Sequence, residues 1–378
     1  MKKQKKYILV VLTVLSVLLG NICIGQSTDA EIVYYNNPDI ISNRFTEQDV
    51  SREPGKDSQK VKDGFDSNVG LREPVKLVFA EVEEAKIILS AKDDFIKSLS
   101  PFDKSARLKT DRFVSDEEFL EFAANQVRPW TVGEKVRFRV VIKSAANRLK
   151  EYNLNFPPKI LLIKTSGLEE GGTAYCRQNA IFLPEKMLAQ QNASLEKMLI
   201  HELFHILSAN NPKLRENLYE MINFKKCNDI ELPEKMREIK ITNPDGLKND
   251  HYVEVEYKGS IVIVVPILYS SAQKYNVEKG GEFFRYLKMS LLVIEKDGDV
   301  FRYKRDDNGE PVLLDVRDVP GISDKIGENT DYLIHPDEVL AENFVLMVQG
   351  NQQVRSKWVI EKMEKVFKKE ARKGYGIN

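Results

Sequence analysis

The chain of 378 residues carries 57 lysine and arginine residues against 57 aspartate and glutamate residues. That balance leaves no net field to attract nucleic acid or an anionic membrane, so neither is expected as a partner. With 42% hydrophobic residues and no internal repeat or low-complexity tract, the length suits one large or two modest globular domains.

In chain order, Met1-Lys2-Lys3-Gln4-Lys5-Lys6 is a basic segment, followed by an apolar run from Tyr7 to Gly20. The run is short for a bilayer span, and residues 1–25 read as a secretory signal peptide cleaved near Gly25. An uncleaved N-terminal anchor is the alternative, because Ile22 to Ile24 extends the run. Gly20-Asn21-Ile22-Cys23 makes a poor lipidation site, lacking the leucine and the small residue that precede such a cysteine. The mature chain is expected to be secreted or periplasmic. Residues 26–74 lack apolar periodicity and contain Arg52-Glu53-Pro54-Gly55-Lys56-Asp57, as a flexible exported linker would.

Ordered structure is expected from Val75, through a domain spanning 75–224. Ser115-Asp116-Glu117-Glu118 predicts a capping box for a helix reaching Asn125, and 135–153 has helical apolar spacing although Val136 to Val140 alternates like a strand. Lys159 to Lys164 reads as a buried strand, and Ala174 to Pro184 as a further strand after the Gly171-Gly172 turn. Ser194 is a plausible N-cap for a helix whose residues Leu195, Met198, Leu199, Ile200, Leu203, Phe204, Ile206 and Leu207 are apolar on most faces. Residues 225–330 predict a β-rich insertion: Tyr252 to Tyr269 and Phe283 to Ile294 suit strands, and Asp297-Gly298 and Asn308-Gly309 suit hairpin turns. Thr242-Asn243-Pro244-Asp245-Gly246 marks a loop ahead of them. Residues 331–378 close the chain with a helix from Pro336 to before Gly350 and an amphipathic helix containing Trp358, Ile360, Met363 and Phe367. After the signal segment no stretch is long and apolar enough to span a membrane; the longest, Ile261 to Leu268, contains Pro266.

The buried helix carries His201-Glu202-Leu203-Phe204-His205, the H-E-x-x-H arrangement of zinc hydrolases. Residues i and i+4 share one helix face, so both imidazoles can reach one tetrahedral ion while Glu202 points toward a water molecule at its open position. Polar groups inside a buried helix need partners, and a metal supplies one. A third ligand at the next turns of the same helix is closed off, since Ser208 and Asn211 stand at the positions where Gly and His would continue the motif. A carboxylate from a later helix remains, with Glu338 in His335-Pro336-Asp337-Glu338-Val339-Leu340-Ala341-Glu342-Asn343-Phe344 the best candidate and Asp245 a weaker rival. Glu338 and Glu342 lie on one helix face. Cys176 and Cys227 remain after export, and the sequence leaves open one disulfide between them or two separate thiols.

These two helices resemble those of the gluzincins, the thermolysin-like clan of zinc metallopeptidases, and the E-x-x-A-E-x-F form is similar to that of the lethal-factor type of toxin protease. The resemblance implies an α+β, zincin-like fold: a mixed sheet with an edge strand over the H-E-x-x-H helix, a second helix carrying a glutamate ligand, and a β-rich insertion between them. It implies that His201, His205 and Glu338 bind zinc, that Glu202 is the general base, and that Glu342 hydrogen-bonds a ligating histidine. It also implies that 174–184 is an edge strand to which an extended peptide adds by main-chain hydrogen bonds. The additional oxyanion donor would be Tyr332, His335, His251 or Tyr252, among which spacing does not select. The expected activity is zinc-dependent hydrolysis of peptide bonds in a protein or peptide substrate. A zinc amidase acting on cell-wall peptides and a non-catalytic exported binding protein stabilised by zinc are the alternatives.

Overall fold

A computed structural model of the chain describes residues 68–72 and 74–373. The expected signal peptide and all but the end of the expected linker lie outside the described residues. The architecture is α+β, with two sheets and helices packed on them.

Strand β1 (Asn68–Arg72) pairs antiparallel with β2 (Val75–Phe79), so regular structure starts within the 26–74 segment read as a linker. Val69 and Leu71 are buried, an alternation too short to stand out beside its polar neighbours. Helices α1 (Val82–Leu89), α2 (Asp94–Ser98), α3 (Pro101–Arg107), α4 (Asp116–Ala124) and α5 (Val132–Leu149) follow. Ser115 caps α4 by accepting from Glu118 N, but the reciprocal half of the box is missing because the Glu118 carboxylate binds Arg112 instead. Full capping boxes fall at Ser100 and Asp103, ahead of α3, and at Thr131 and Glu134, which start α5 three residues before the apolar spacing announces it.

β3 (Lys159–Thr165) runs parallel to β2, and β4 (Tyr175–Arg177) and β5 (Ala180–Pro184) form a hairpin turned at Gln178, whose φ is 54°. The order β1-β2-β3-β5-β4 corrects the reading of 174–184 as one edge strand. β5 is interior and only the three residues of β4 lie at the edge. Period-2 alternation divides the sheet between two cores: Ile181 and Leu183 face one layer, Ala180 and Phe182 the other. α5 and α6 (Asn192–Asn210) cover the first face; α1, α2 and α4 cover the second. α6 begins two residues before Ser194, with Gln191 at its N-cap, because Arg137 reaches across from α5 to Asn192 Oδ1 and to the carbonyls of Leu188 and Gln190.

After α7 (Pro212–Met221) come β6 (Lys225–Lys226), α8 (Glu234–Ile239), β7 (His251–Tyr257), β8 (Ser260–Ser270), β9 (Leu287–Asp297), β10 (Val300–Tyr303) and β11 (Leu313–Leu314). They form an antiparallel sheet ordered β10-β9-β8-β7-β6, with β11 also on β9. Asp297-Gly298 turns β9 into β10 as expected, while Lys258-Gly259, both at positive φ, splits the 252–269 stretch into β7 and β8. One face of this sheet contributes Val253, Val255, Val264, Leu291 and Val293 to the core that holds α6, so the insertion is continuous with the rest. α9 (Ile322–Ile326), α10 (Pro336–Val348) and α11 (Lys357–Lys373) complete the chain, and α10 packs on α6 through Phe204 and Phe344, whose ring centroids are 5.4 Å apart.

The loop at 242–246 is anchored by α3. Arg107, 1% exposed, pairs with Glu170 at 2.6 and 2.9 Å and with Asp103 at 2.6 Å. Asp103 accepts in turn from Thr242 N and from Thr242 Oγ1 at 2.7 Å. Arg107→Ala leaves two buried carboxylates without their cation and is expected to cost about 3–5 kcal/mol. Urea unfolding of the metal-free protein measures it; a loss below about 1 kcal/mol would show the pair to be screened like a surface one.

Candidate metal centre

α6 presents His201, Glu202 and His205, which are 8%, 4% and 3% exposed, toward the first turns of α10. α10 starts where it does because Pro336 fits its first turn and His335 caps it, Nδ1 accepting from Asp337 N at 3.2 Å. Its first turn then carries Asp337 and Glu338, both 3% exposed, at the end where the helix dipole favours carboxylates.

Three donors converge in the seam between these helices. His201 Nε2 lies 3.1 Å from His205 Nε2, and Glu338 Oε2 is 3.3 Å from the first and 3.6 Å from the second. His205 Nδ1 donates to Asp337 Oδ2 at 2.7 Å, which leaves the Nε2 lone pair aimed at the seam. His201 Nδ1 is 3.1 Å from Glu342 Oε1, close enough for an ion contact but without the alignment of a hydrogen bond. Glu342 is also shared with Lys197 Nζ at 3.5 Å. Glu338 Oε1 accepts from Asn243 Nδ2 at 2.7 Å, so the insertion loop fixes the rotation of that carboxylate.

Lone pairs facing each other at this range require a proton or a metal ion between them. The charges of the metal-free protein reflect that demand. Burial opposes a charge on His201, yet Glu338 and Glu342 together raise its pKa to about 10. Burial opposes charge on His205 too, but Asp245, Glu338 and Asp337 hold it well above the usual imidazole range. Glu338, despite burial, is held well below the carboxylate range by the two histidines. Such a buried His-His-Glu cluster could bind a metal ion, which would replace the protons that its carboxylates now hold on the rings.

Glu202 is next to the cluster without belonging to it. Its Oε2 accepts from the Cys176 thiol at 3.3 Å, and the same sulfur is 3.3 Å from the Glu202 carbonyl oxygen. Cys176 N, on the outer side of β4, donates to Asp245 Oδ1 at 3.0 Å. Asp245 therefore groups with Cys176 and Glu202, while Glu338 completes the histidine pair. Of the two arrangements left open for Cys176 and Cys227, the structure has two separate thiols. Cys176 is free and faces α6, whereas Cys227 is free and packs with the far face of the insertion sheet.

Of the four oxyanion-donor candidates, three are committed elsewhere. His251 holds Asp250 at 2.7 Å and Glu216 at 3.0 Å, with Tyr219 against its ring. Tyr252 packs against Phe301 in the insertion, with the rings tilted. His335 caps α10 and lies so close to Gly246 that a Cβ there would stand 2.5 Å from the ring. Tyr332 is different: burial first, then Glu338, Asp245, Glu342 and Glu202, push its phenol upward, so it feels four carboxylates of the site.

Asp337 is the residue that sequence reasoning passed over. It accepts from His205, from Ser208 Oγ at 2.5 Å and from Tyr219 OH at 2.9 Å, and is the better-bonded of the two carboxylates behind the rings. Its signal was present in Ser208, one turn after His205, and in its place beside Glu338. Only the crossing of α6 and α10 decides which ring each acid meets. Among the described residues no helix is long and apolar enough to cross a membrane.

Metal affinity is expected to fall in a fixed order. Glu338→Ala removes a donor and should abolish stoichiometric binding, and Asp337→Ala should weaken it about 10- to 100-fold, the usual effect of losing a partner behind a ligand. Glu342→Ala, which removes a misaligned and partly exposed contact, should cost less than Asp337→Ala. Competition against a chelating dye reads all three; Glu342→Ala proving the more damaging of the last two would reverse the roles given to these carboxylates. Compared with known proteins, the chain matches no family model, no curated protein and no solved structure.

Proposed function

We propose that the protein is an exported zinc-dependent metallopeptidase of gluzincin type, hydrolysing peptide bonds with His201, His205 and Glu338 as zinc ligands and Glu202 as general base. The observation that carries this reading is the convergence of two imidazole nitrogens and one carboxylate oxygen in a buried seam, with a second, non-ligating carboxylate beside them.

The donor set favours zinc. Ligands about 2.0–2.1 Å from a tetrahedral ion stand about 3.3–3.4 Å apart, a spacing that the 3.1, 3.3 and 3.6 Å separations bracket. Nitrogen-rich mixed donors suit zinc better than magnesium or calcium, which take oxygen. Three protein ligands are the number found in catalytic zinc sites. The mixed sheet with a short antiparallel edge strand beside α6, and the glutamate on a second helix, support a zincin-like arrangement.

A zinc ion held there would acidify a water molecule and polarise the substrate carbonyl. Glu202 accepts the proton of the attacking water and delivers it to the leaving amine, while the Cys176 thiol holds one of its oxygens in place. Asp337 keeps the His205 ring oriented, with Ser208 and Tyr219 keeping Asp337 in turn. Tyr332, whose hydroxyl has no hydrogen bond to the described protein residues, supplies the donor for the oxyanion. A buried carboxylate beside the ligands has no use in a purely structural zinc site, which favours catalysis over a stabilising role for the metal.

Glu202→Gln tests the reading. The variant should keep its fold and one zinc per chain and lose cleavage of a peptide library by about three orders of magnitude or more, because an amide cannot take the proton. Loss of zinc from that variant, or cleavage within about tenfold of the parent, would overturn the assignment of Glu202.

A further inference from the structure

Beside the His-His-Glu donors lies a second set: Cys176 Sγ, a Glu202 carboxylate oxygen and an Asp245 carboxylate oxygen, all within 4.8 Å of one another. They come from β4, from α6 and from the 242–246 loop, so tertiary structure assembles them and neither helix spacing nor an acidic run does. Glu202 is 4% exposed, and its one side-chain hydrogen bond is the weak one from the Cys176 thiol; its other oxygen accepts none among the described residues. That leaves one Glu202 oxygen free to ligate a cation beside the Cys176 sulfur. Asp245 is tied through Oδ1 to Cys176 N and is partly exposed.

The mixed set of one sulfur and two oxygens suits zinc, cobalt or cadmium and disfavours magnesium and calcium.

We propose that Cys176, Glu202 and Asp245 form a second binding position for a thiophilic divalent ion, and that filling it takes Glu202 out of catalysis. Binding breaks the Cys176 S–H bond and forms a sulfur–metal bond, the proton leaving to solvent with no change of oxidation state. The binding half stands by itself; the inhibitory half rests on the reading of Glu202 as general base.

Cobalt(II) titration of the purified, chelator-stripped mature chain separates the two positions, because only a thiolate ligand gives an intense near-ultraviolet sulfur-to-cobalt band. Two equivalents are expected, one bringing that band. Cys176→Ser should lose the band and one equivalent and keep the other. Asp245→Asn should weaken the band-forming equivalent, and Cys227→Ser should leave it unchanged. With zinc, the concentration that halves each protein's own peptidase rate should rise at least about tenfold in Cys176→Ser, as loss of a thiolate ligand requires. Absence of the band at saturating cobalt, or its persistence in Cys176→Ser, overturns the second position whether or not the protein cleaves peptides. A thiolate-bound equivalent in a parent that cleaves nothing would instead uphold the position and remove the peptidase reading.

Discussion

Two imidazole nitrogens 3.1 Å apart, with a carboxylate oxygen within 3.6 Å of both, form the arrangement on which the rest of this molecule depends. In water such groups would separate and hydrate. Here the packing of α6 on α10 holds them together, with Leu203, Phe204, Val339, Leu340 and Phe344 buried around them. Hydrophobic burial of those side chains offsets the cost of desolvating the polar ones, and a bound cation would convert that cost into affinity. The site is preorganised because the helices that carry it are themselves part of the main core.

The insertion contributes to the site directly. Its 242–246 loop is fastened at one end by the Arg107, Asp103 and Thr242 network, and it sends Asn243 to Glu338 and Asp245 to the edge of β4. Cys176 N is the outward amide to which an added strand would bond, and Asp245 now occupies it. A peptide aligned on β4 would therefore compete with a side chain of the protein itself.

The two carboxylates behind the rings illustrate how helix geometry distributes roles. Asp337 and Glu338 are adjacent in the chain, so about 100° of helix rotation separates them. Glu338 faces the seam, while Asp337 turns to the rear of the His205 ring, where Ser208 and Tyr219 hold it. Glu342, one turn later, meets His201 at the more open end of the seam and shares its charge with Lys197. The two histidines thus differ in how firmly they are oriented, although the sequence presents them as equivalents.

Short-range periodicity made part of this legible without a structure. The i, i+4 spacing of His201 and His205, the apolar surround of their helix, the start of α10 at Pro336 and the placing of Glu338 and Glu342 on one face all follow from local geometry. So did the β3 strand, the β-rich character of the insertion and its Asp297-Gly298 turn. Contacts between segments distant in the chain leave no such period. The hairpin that places β4 and not β5 at the sheet edge, the pairing of Asp337 with His205, the thiol of Cys176 on Glu202 in place of a disulfide to Cys227, and the reach of Asp245 to β4 arise from how α6, α10, the first sheet and the insertion loop cross. The sequence thus determined which residue types stand on which helix face, because that depends on rotation per residue; tertiary packing alone decided which of them touch.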